Sequence, residues 1–309
     1  MSWTDWSYWN EHRSRLALVV IVAVILFYGI YNGVSGEKVQ EKGEIAEIGV
    51  EGIISYNGKS SEILPKARMT PDDLKKLVDE AKKDSVDAYL FRINSPGGQV
   101  VASKDMARII ESLEKPAACL MQEVAASGAY WLATECDRIF ADSLTVTGSI
   151  GVSSTYLQYS GLLEEYGIKY VNLTAGRYKD MRSPYKNLTA EERDILTEQL
   201  DTVHEAFIRQ VANERGMSEE NVREHATGQA FMGGEAERIG LIDSIGRKKD
   251  AKEYLENRTG RKLSVKSYRE QDTLDILSLL PVKIGYGIGK AFTAAQENIG
   301  GIEALYRKR

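Results

Sequence analysis

Short extended runs, turns and amphipathic stretches follow one another along this chain in a repeating order. Ile45 to Ile54 (IAEIGVEGII) alternates apolar and polar residues, the pattern of a half-buried strand. Thr70-Pro71-Asp72-Asp73 predicts a helix start, with Thr70 as N-cap and Pro71 in the first position. Leu74, Leu77, Val78 and Ala81 then share one helical face. Asp87 to Ile93 (DAYLFRI) reads as a strand that runs into Asn94-Ser95-Pro96-Gly97-Gly98, and a helix with Met106, Ile109, Ile110 and Leu113 on one side follows. The apolar run Ala117 to Met121 reads as a buried strand, and AASGAYW (Ala125 to Trp131) after it opens a helix. Next come a strand over Arg138 to Ala141, a Gly-rich loop (TVTGSIGV, Thr145 to Val152), a helix near Leu162 and a strand over Ile168 to Leu173. After the polar loop Thr174 to Asn187, Thr189 and Glu192 form a capping box that opens a long helix. Its predicted buried stripe is Leu196, Leu200, Val203, Phe207 and Val211. A short helix near Ala251 to Asn257 and a strand near Leu263 to Tyr268 complete the core. Strand, loop and helix in repetition predict an α/β fold with a mainly parallel sheet.

One stretch breaks this pattern. Leu16 to Tyr31 (LALVVIVAVILFYGIY) carries no charge, and extension to Val34 adds only Asn32 and Gly33 as interruptions. That approaches the roughly 20 apolar residues of a membrane-spanning helix. The core of a cleaved signal peptide is shorter and ends in small residues, whereas Phe27 and Tyr28 are bulky, so an uncleaved anchor over 16–34 is predicted. Trp3, Trp6 and Trp9 before it, and Tyr28 and Tyr31 near its far end, suit the two membrane interfaces. Arg13 and Arg15 flank it on one side and Lys38 and Lys42 on the other. The arginines lie closer, which points to a cytoplasmic segment 1–15 and an extracytoplasmic domain. A linker over 35–44, a domain over 45–270 and a tail over 271–309 follow. Pro281 and Lys283 interrupt the tail, which reads either as an amphipathic segment or as an oligomer contact.

The chain has 309 residues, enough for one domain with appendages, and its net charge of -5 gives no reason to expect a nucleic-acid partner. Cys119 lies in an apolar run and Cys136 near the next strand, so both are expected as buried free thiols.

Ser127 stands at the strand-to-helix corner among small neighbours, a position that suits either a helix N-cap or an accessible nucleophile. A serine nucleophile needs a base. Of the three histidines, His12 precedes the anchor, His204 lies beside the stripe of the long helix and His225 lies in a polar stretch, so none has catalytic character. Lysine is the alternative, because burial lowers its pKa, and Lys179 in GRYKDMRSPY is the candidate. An oxyanion also needs donors. The turn Ser95 to Gly98 can aim the Gly98 N–H, and the Gly128 N–H follows Ser127 directly.

Four stretches, INSPGG (Ile93 to Gly98), AASGAYW (Ala125 to Trp131), TGSIGV (Thr147 to Val152) and GRYKDMRSPY (Gly176 to Tyr185), resemble in order the signal peptide peptidase A (SppA) family in its short, single-domain form. The likeness runs from about Ile45 to Gly246. It implies a membrane-anchored Ser/Lys serine endopeptidase with a ClpP/crotonase-like fold of repeated ββα units. By the same matching, Ser127 is the nucleophile, Lys179 the general base, Ser149 the residue that orients the lysine, and the Gly98 and Gly128 N–H groups the oxyanion hole. No cofactor and no metal are implied. The implied partners are peptide substrates such as signal peptide remnants, the membrane through residues 16–34, and further copies of the chain, with the Ser and Lys of one site on the same or on neighbouring subunits. Two positions depart from the pattern: Gln229-Ala230 where Arg or Lys often precedes the last motif, and Arg182 where Gly is frequent. Alternatives are a related Ser/Lys membrane protease that cuts one partner such as a stomatin-like protein, a crotonase-type enzyme acting on acyl-CoA, and a non-catalytic scaffold.

Overall fold

The computed structural model describes residues 43–57 and 68–269. The anchor predicted at 16–34 and the rest of residues 1–42 lie outside the described residues, as does the tail 271–309, whereas Gly43 and Glu44 of the predicted linker belong to the first strand. Among those described, no helix is long and apolar enough to cross a membrane.

Strands β1 (Gly43–Glu51), β4 (Ala88–Ser95), β5 (Ala117–Ala126), β6 (Arg138–Ala141), β9 (Ser244–Ile245) and β10 (Leu263–Tyr268) form a parallel sheet in the order β10-β1-β4-β5-β6-β9. Helix α1 (Pro71–Lys83) connects β1 to β4, and α2 (Val100–Glu111) connects β4 to β5. Successive side chains of a strand face opposite sides of a sheet. Ile48, Val50, Phe91, Ile93 and Met121 accordingly pack with Leu74 and Leu77 of α1 and Met106 and Ile110 of α2. Ile45, Ala88, Leu90, Ala118 and Phe140 pack on the other face with Ala251 and Leu255 of the helix Lys248–Thr259. Thr70 caps α1 as predicted and forms a full capping box with Asp73, with reciprocal bonds of 3.1 and 3.0 Å.

The geometry that matters for function comes from β5, which serves two partners in turn. Its first half pairs with β6 through Ala118, Cys119 and Leu120. Its second half leaves β6 and pairs with β7 (Val146–Gly148) through Val124, Ala125 and Ala126. A register shift between Ile93 and Ser95 lets β4 follow, placing Ser95 beside Ala125. β7 pairs antiparallel with β8 (Ala230–Met232). The ends of β4, β5 and β7 thus converge at one corner. Beyond that corner the short helix α3 (Gly128–Ala133) follows β5, and the helix predicted near Leu162 is α4 (Ser160–Glu165), with no buried residue.

Several expectations are corrected. The predicted strand Ile45–Ile54 is split at Gly52, whose φ is +79°, into β1 and β2 (Ile53–Ile54). β2 pairs with β3 (Arg68–Met69). The Gly-rich loop contains β7, too short to signal itself. Ile168 to Leu173 is not a strand: no strand among the described residues pairs with it, and Ile168, Val171 and Leu173 are exposed. The capping box opens α5 (Ala190–Arg215), but only its C-terminal half is packed. Phe207 and Val211 are buried, whereas Leu196, Leu200 and Val203 are half-buried. Cys119 and Cys136 are not free thiols. Their Cα atoms lie 5.7 Å apart and the pair forms a disulfide, because α3 folds back beside β5.

Candidate active site

β5 ends at Ala126 and α3 begins two residues later. Ser127 makes the corner alone, at φ +54° and ψ -125°. A non-glycine residue held at such angles costs about 1–3 kcal/mol, and the surrounding packing must offset it. Every residue of α3 is buried. The Tyr130 hydroxyl donates to the Leu241 carbonyl at 2.8 Å, and Trp131 stacks on Phe207 of α5 at 4.5 Å. Ser127 occupies the N-cap position, yet its hydroxyl makes no capping bond. The side chain is partly exposed at the corner.

The Ser95-Pro96-Gly97-Gly98 turn faces this corner. Ile54 N–H donates to the Gly97 carbonyl at 2.9 Å, and Gln99 N–H donates to the Ile54 carbonyl at 2.8 Å. In this bridge Gly98 gives nothing to Ile54, so its N–H is left on the other side. Among the described residues neither the Gly98 N–H nor the Gly128 N–H has a protein acceptor. The approach is close enough to demand glycine. A Cβ on Gly97, at φ +91°, would stand 2.6 Å from Gly128 N and 3.0 Å from Ser127 Cβ, and a Cβ on Gly98 would stand 2.0 Å from the Ile54 carbonyl oxygen.

Ser149 follows β7 as Ser127 follows β5, and the pairing of Ala126 with Gly148 sets the two serines side by side. It too has a positive φ, +50°. Its N–H donates to the Gln229 carbonyl at 3.0 Å, and its hydroxyl donates to the Gly228 carbonyl at 3.2 Å.

Lys179 is not joined to this group. It is exposed in a turn where its N–H donates to the Gly176 carbonyl at 3.2 Å. Its neighbour Asp180 is engaged instead by Lys186, which bridges Asp180 at 2.9 Å and Glu192 at 2.6 Å. That bridge holds the Glu192 and Asp180 carboxyls below their ordinary range and lifts the Lys186 ammonium. It pins the turn carrying Lys179 to the start of α5 and leaves the Lys179 ammonium without a partner among the described residues. No residue from 151 to 191 is buried. Neither His204 nor His225 hydrogen-bonds to Ser127. His225 stacks edge-on against Phe231.

One residue of the site escaped the sequence reading. Ser103 of α2 is fully buried, and its hydroxyl lies against Gly128. Its signal was present as a polar residue on the apolar face, three and four positions before Met106 and Ala107.

The model of Peptidase family S49 matches residues 110–262, a span that contains Ser127, Ser149 and Lys179. A Methanocaldococcus jannaschii protein named "Putative protease MJ0651" is 32% identical over 89% of this chain and 92% of its own length. An Enterococcus faecium protein named "Putative signal peptide peptidase SppA" is 32% identical over 96% of this chain and 87% of its own. Among solved structures, a mutant of the 1510-N membrane-bound stomatin-specific protease aligns at 16% identity with a TM-score of 0.47, over 74% of this chain and 99% of that one. The two relatives match nearly end to end, and the family model covers the corner that holds Ser127, so the chain belongs to Peptidase family S49 and is a serine peptidase of the SppA family.

Proposed function

We propose that the chain is a membrane-anchored endopeptidase that degrades signal peptide remnants and similar apolar peptides through a Ser127/Lys179 dyad. The observation that carries this reading is the convergence of the Ser127 corner with two unpaired backbone donors, Gly98 N–H and Gly128 N–H. Ser127 Oγ attacks a peptide carbonyl while neutral Lys179 Nζ takes its proton. The oxyanion rests on the two N–H groups. Lys179 then gives the proton to the leaving amine, and an acyl-enzyme remains. A water molecule, deprotonated by the same lysine, releases the acid and restores Ser127. Ser149, beside Ser127, orients the lysine.

This mechanism requires Lys179 to lose the solvent that surrounds it in a single copy, because desolvation is what lowers a lysine pKa. The arm that carries it supports assembly as the route. Leu157, Leu162, Tyr166, Ile168, Val171 and Leu173 are all exposed, Leu173 by 93%, and clustered exposed apolar side chains mark contact surfaces. A second copy of the chain that packs on this arm would bury both the apolar side chains and Lys179. The disulfide supports the extracytoplasmic placement, because such bonds persist in oxidising compartments. Residues 16–34 supply the membrane anchor in this reading.

The test is cleavage of an apolar peptide by the full chain in detergent, compared with Ser127→Ala and Lys179→Ala. Both variants are expected to lose turnover. Full activity in Ser127→Ala would remove the dyad. Mixing the two inactive variants tests the shared site, since recovered activity requires Ser and Lys to come from different copies.

A further inference from the structure

The point at which a Gly128 Cβ would stand lies 2.1 Å from Ser103 Oγ, 2.9 Å from Ser103 Cβ and 3.4 Å from Gly98 N. Ser103 and Gly98 therefore crowd the space that a Gly128 side chain would need, and the Ser103 hydroxyl itself fills most of it. The Ser103 hydroxyl is fully buried and has no hydrogen-bond partner among the described residues. A buried hydroxyl left unpaired costs about 1–3 kcal/mol, and alanine would fill almost the same shape without that cost. Such a group calls for a physical explanation.

Its place in the chain supplies one. Helix α2 grows directly out of the Gly97–Gly98 turn, and Ser103 N–H donates to the Gln99 carbonyl at 2.9 Å. Gly98 and Ser103 thus belong to one rigid turn of backbone, while Gly128 belongs to the opposing corner. The side chain nearest the missing Gly128 Cβ is that of Ser103. The Gly97 backbone packs against Gly128 N on one side of this approach, and the Ser103 side chain meets Gly128 on the other.

We propose that Ser103 is a positioning residue of the oxyanion cradle. It holds the Gly128 peptide at a set separation from Gly98 and turns its O–H dipole towards the negative charge those two N–H groups collect. It acts through Gly128 and forms no bond to the substrate. A preorganised dipole in a dry site stabilises developing charge without reorganising when the charge appears. This inference rests on the proposed function above.

The experiment compares the full chain in detergent with Ser103→Ala, using Ser127→Ala as the reference for enzyme-dependent cleavage. For Ser103→Ala, KM for an apolar peptide is expected to hold while kcat falls about tenfold, short of the roughly 10²–10³-fold that loss of a direct oxyanion donor costs. The melting temperature is expected to hold or rise, because an unpaired polar group has been removed. Affinity for a peptide aldehyde is expected to fall by the same factor as kcat. Ser127 Oγ bonds to that inhibitor's carbonyl carbon as Lys179 takes the serine proton, and the C=O π pair moves to the oxygen, which becomes an anion in the cradle. Affinity for the amine-side product, which brings no carbonyl oxygen or carboxylate into the cradle, is expected to stay unchanged. A wild-type kcat in Ser103→Ala overturns the proposal, as does a loss that lowers melting temperature and product affinity along with kcat, since that marks packing alone. If wild type cleaves no better than Ser127→Ala, the proposed function fails and this inference falls with it. If wild type cleaves and Ser103→Ala matches it, only the role of Ser103 fails.

Discussion

The Ser127 N–H donates to the Gly148 carbonyl at 2.8 Å, one residue before Ser149. The bond ties two corners, each made by a serine at positive φ, into one rigid unit at the ends of β5 and β7. Ser127 is therefore fixed by backbone on one side and by the buried helix α3 on the other. Its own hydroxyl takes no part in holding it there.

Ser127→Gly follows from this arrangement. Glycine adopts φ near +54° freely, so the substitution relieves strain of about 1–3 kcal/mol. The variant is expected to unfold at higher denaturant concentration than wild type while losing peptide cleavage. Ser127→Ala keeps the strain and is expected to match wild-type stability. Urea unfolding of the three proteins, read beside their turnover, checks both halves. A Ser127→Gly variant less stable than Ser127→Ala would sink the strain argument.

The two donor glycines should respond differently to alanine. At Gly98 the new Cβ would meet the Ile54 carbonyl oxygen at 2.0 Å, and backbone cannot swing aside. Gly98→Ala is expected to destabilise by about 1–3 kcal/mol or more. At Gly128 the first obstacle is a side-chain oxygen, Ser103 Oγ at 2.1 Å. Gly128→Ala is expected to lower kcat about 10²-fold as the donor shifts. Adding Ser103→Gly is expected to recover much of its stability. A double-mutant cycle in chemical unfolding measures this, and strict additivity would argue against the contact.

What could be read from the sequence follows from whether its cause is local. Arg138–Ala141 and Leu263–Tyr268 are strands over the predicted residues, and the capping boxes at Thr70 and Thr189 open helices, because each signal is written within a few neighbouring side chains. β7 was missed because its three residues become a strand only by pairing with the far end of β5. Ile168 to Leu173 has strand-like residues but no strand partner among the described residues, and Leu196, Leu200 and Val203 have a stripe that the single chain covers only in part. In the site, AASGAYW marked Ser127 through its small neighbours, and SPGG marked the donor turn. The strain at Ser127, the partnerless hydroxyl of Ser103 and the meeting of Cys119 with Cys136 depend on pieces distant in sequence or packed from separate elements, so no local pattern announced them.

That disulfide encloses the whole Ser127 corner. Cys119 lies within β5, Cys136 just beyond α3, and the 17-residue separation contains Ser127 and Gly128. Cross-linking a loop of about this length stabilises by roughly 3 kcal/mol in the chain-entropy view. Cys119→Ala combined with Cys136→Ala is expected to unfold at lower urea concentration and to be indifferent to reductant. Wild type is expected to shift towards it when reduced. Equal midpoints for oxidised wild type and the double variant would mean that the bridge contributes nothing.

Glu135, next to that disulfide, gives the stability a pH dependence. Burial first, and then the nearby Glu214 and Glu111 carboxylates, together raise its pKa from 4.5 to about 7. Gln210 donates to its carboxyl. Between pH 4.5 and about 7 the unfolded chain has released this proton while the folded chain still holds it. The folded state then binds more protons, so its stability from this group falls as pH rises through the window and is level above it. Glu135→Gln removes the titration and keeps the shape. It is expected to raise the melting temperature by a few degrees at pH 8, to change it little at pH 4, and to flatten the slope between. Thermal melts of both proteins across that range decide the matter. A variant whose advantage is the same at pH 4 and pH 8 would show that the carboxyl is not held protonated by its surroundings.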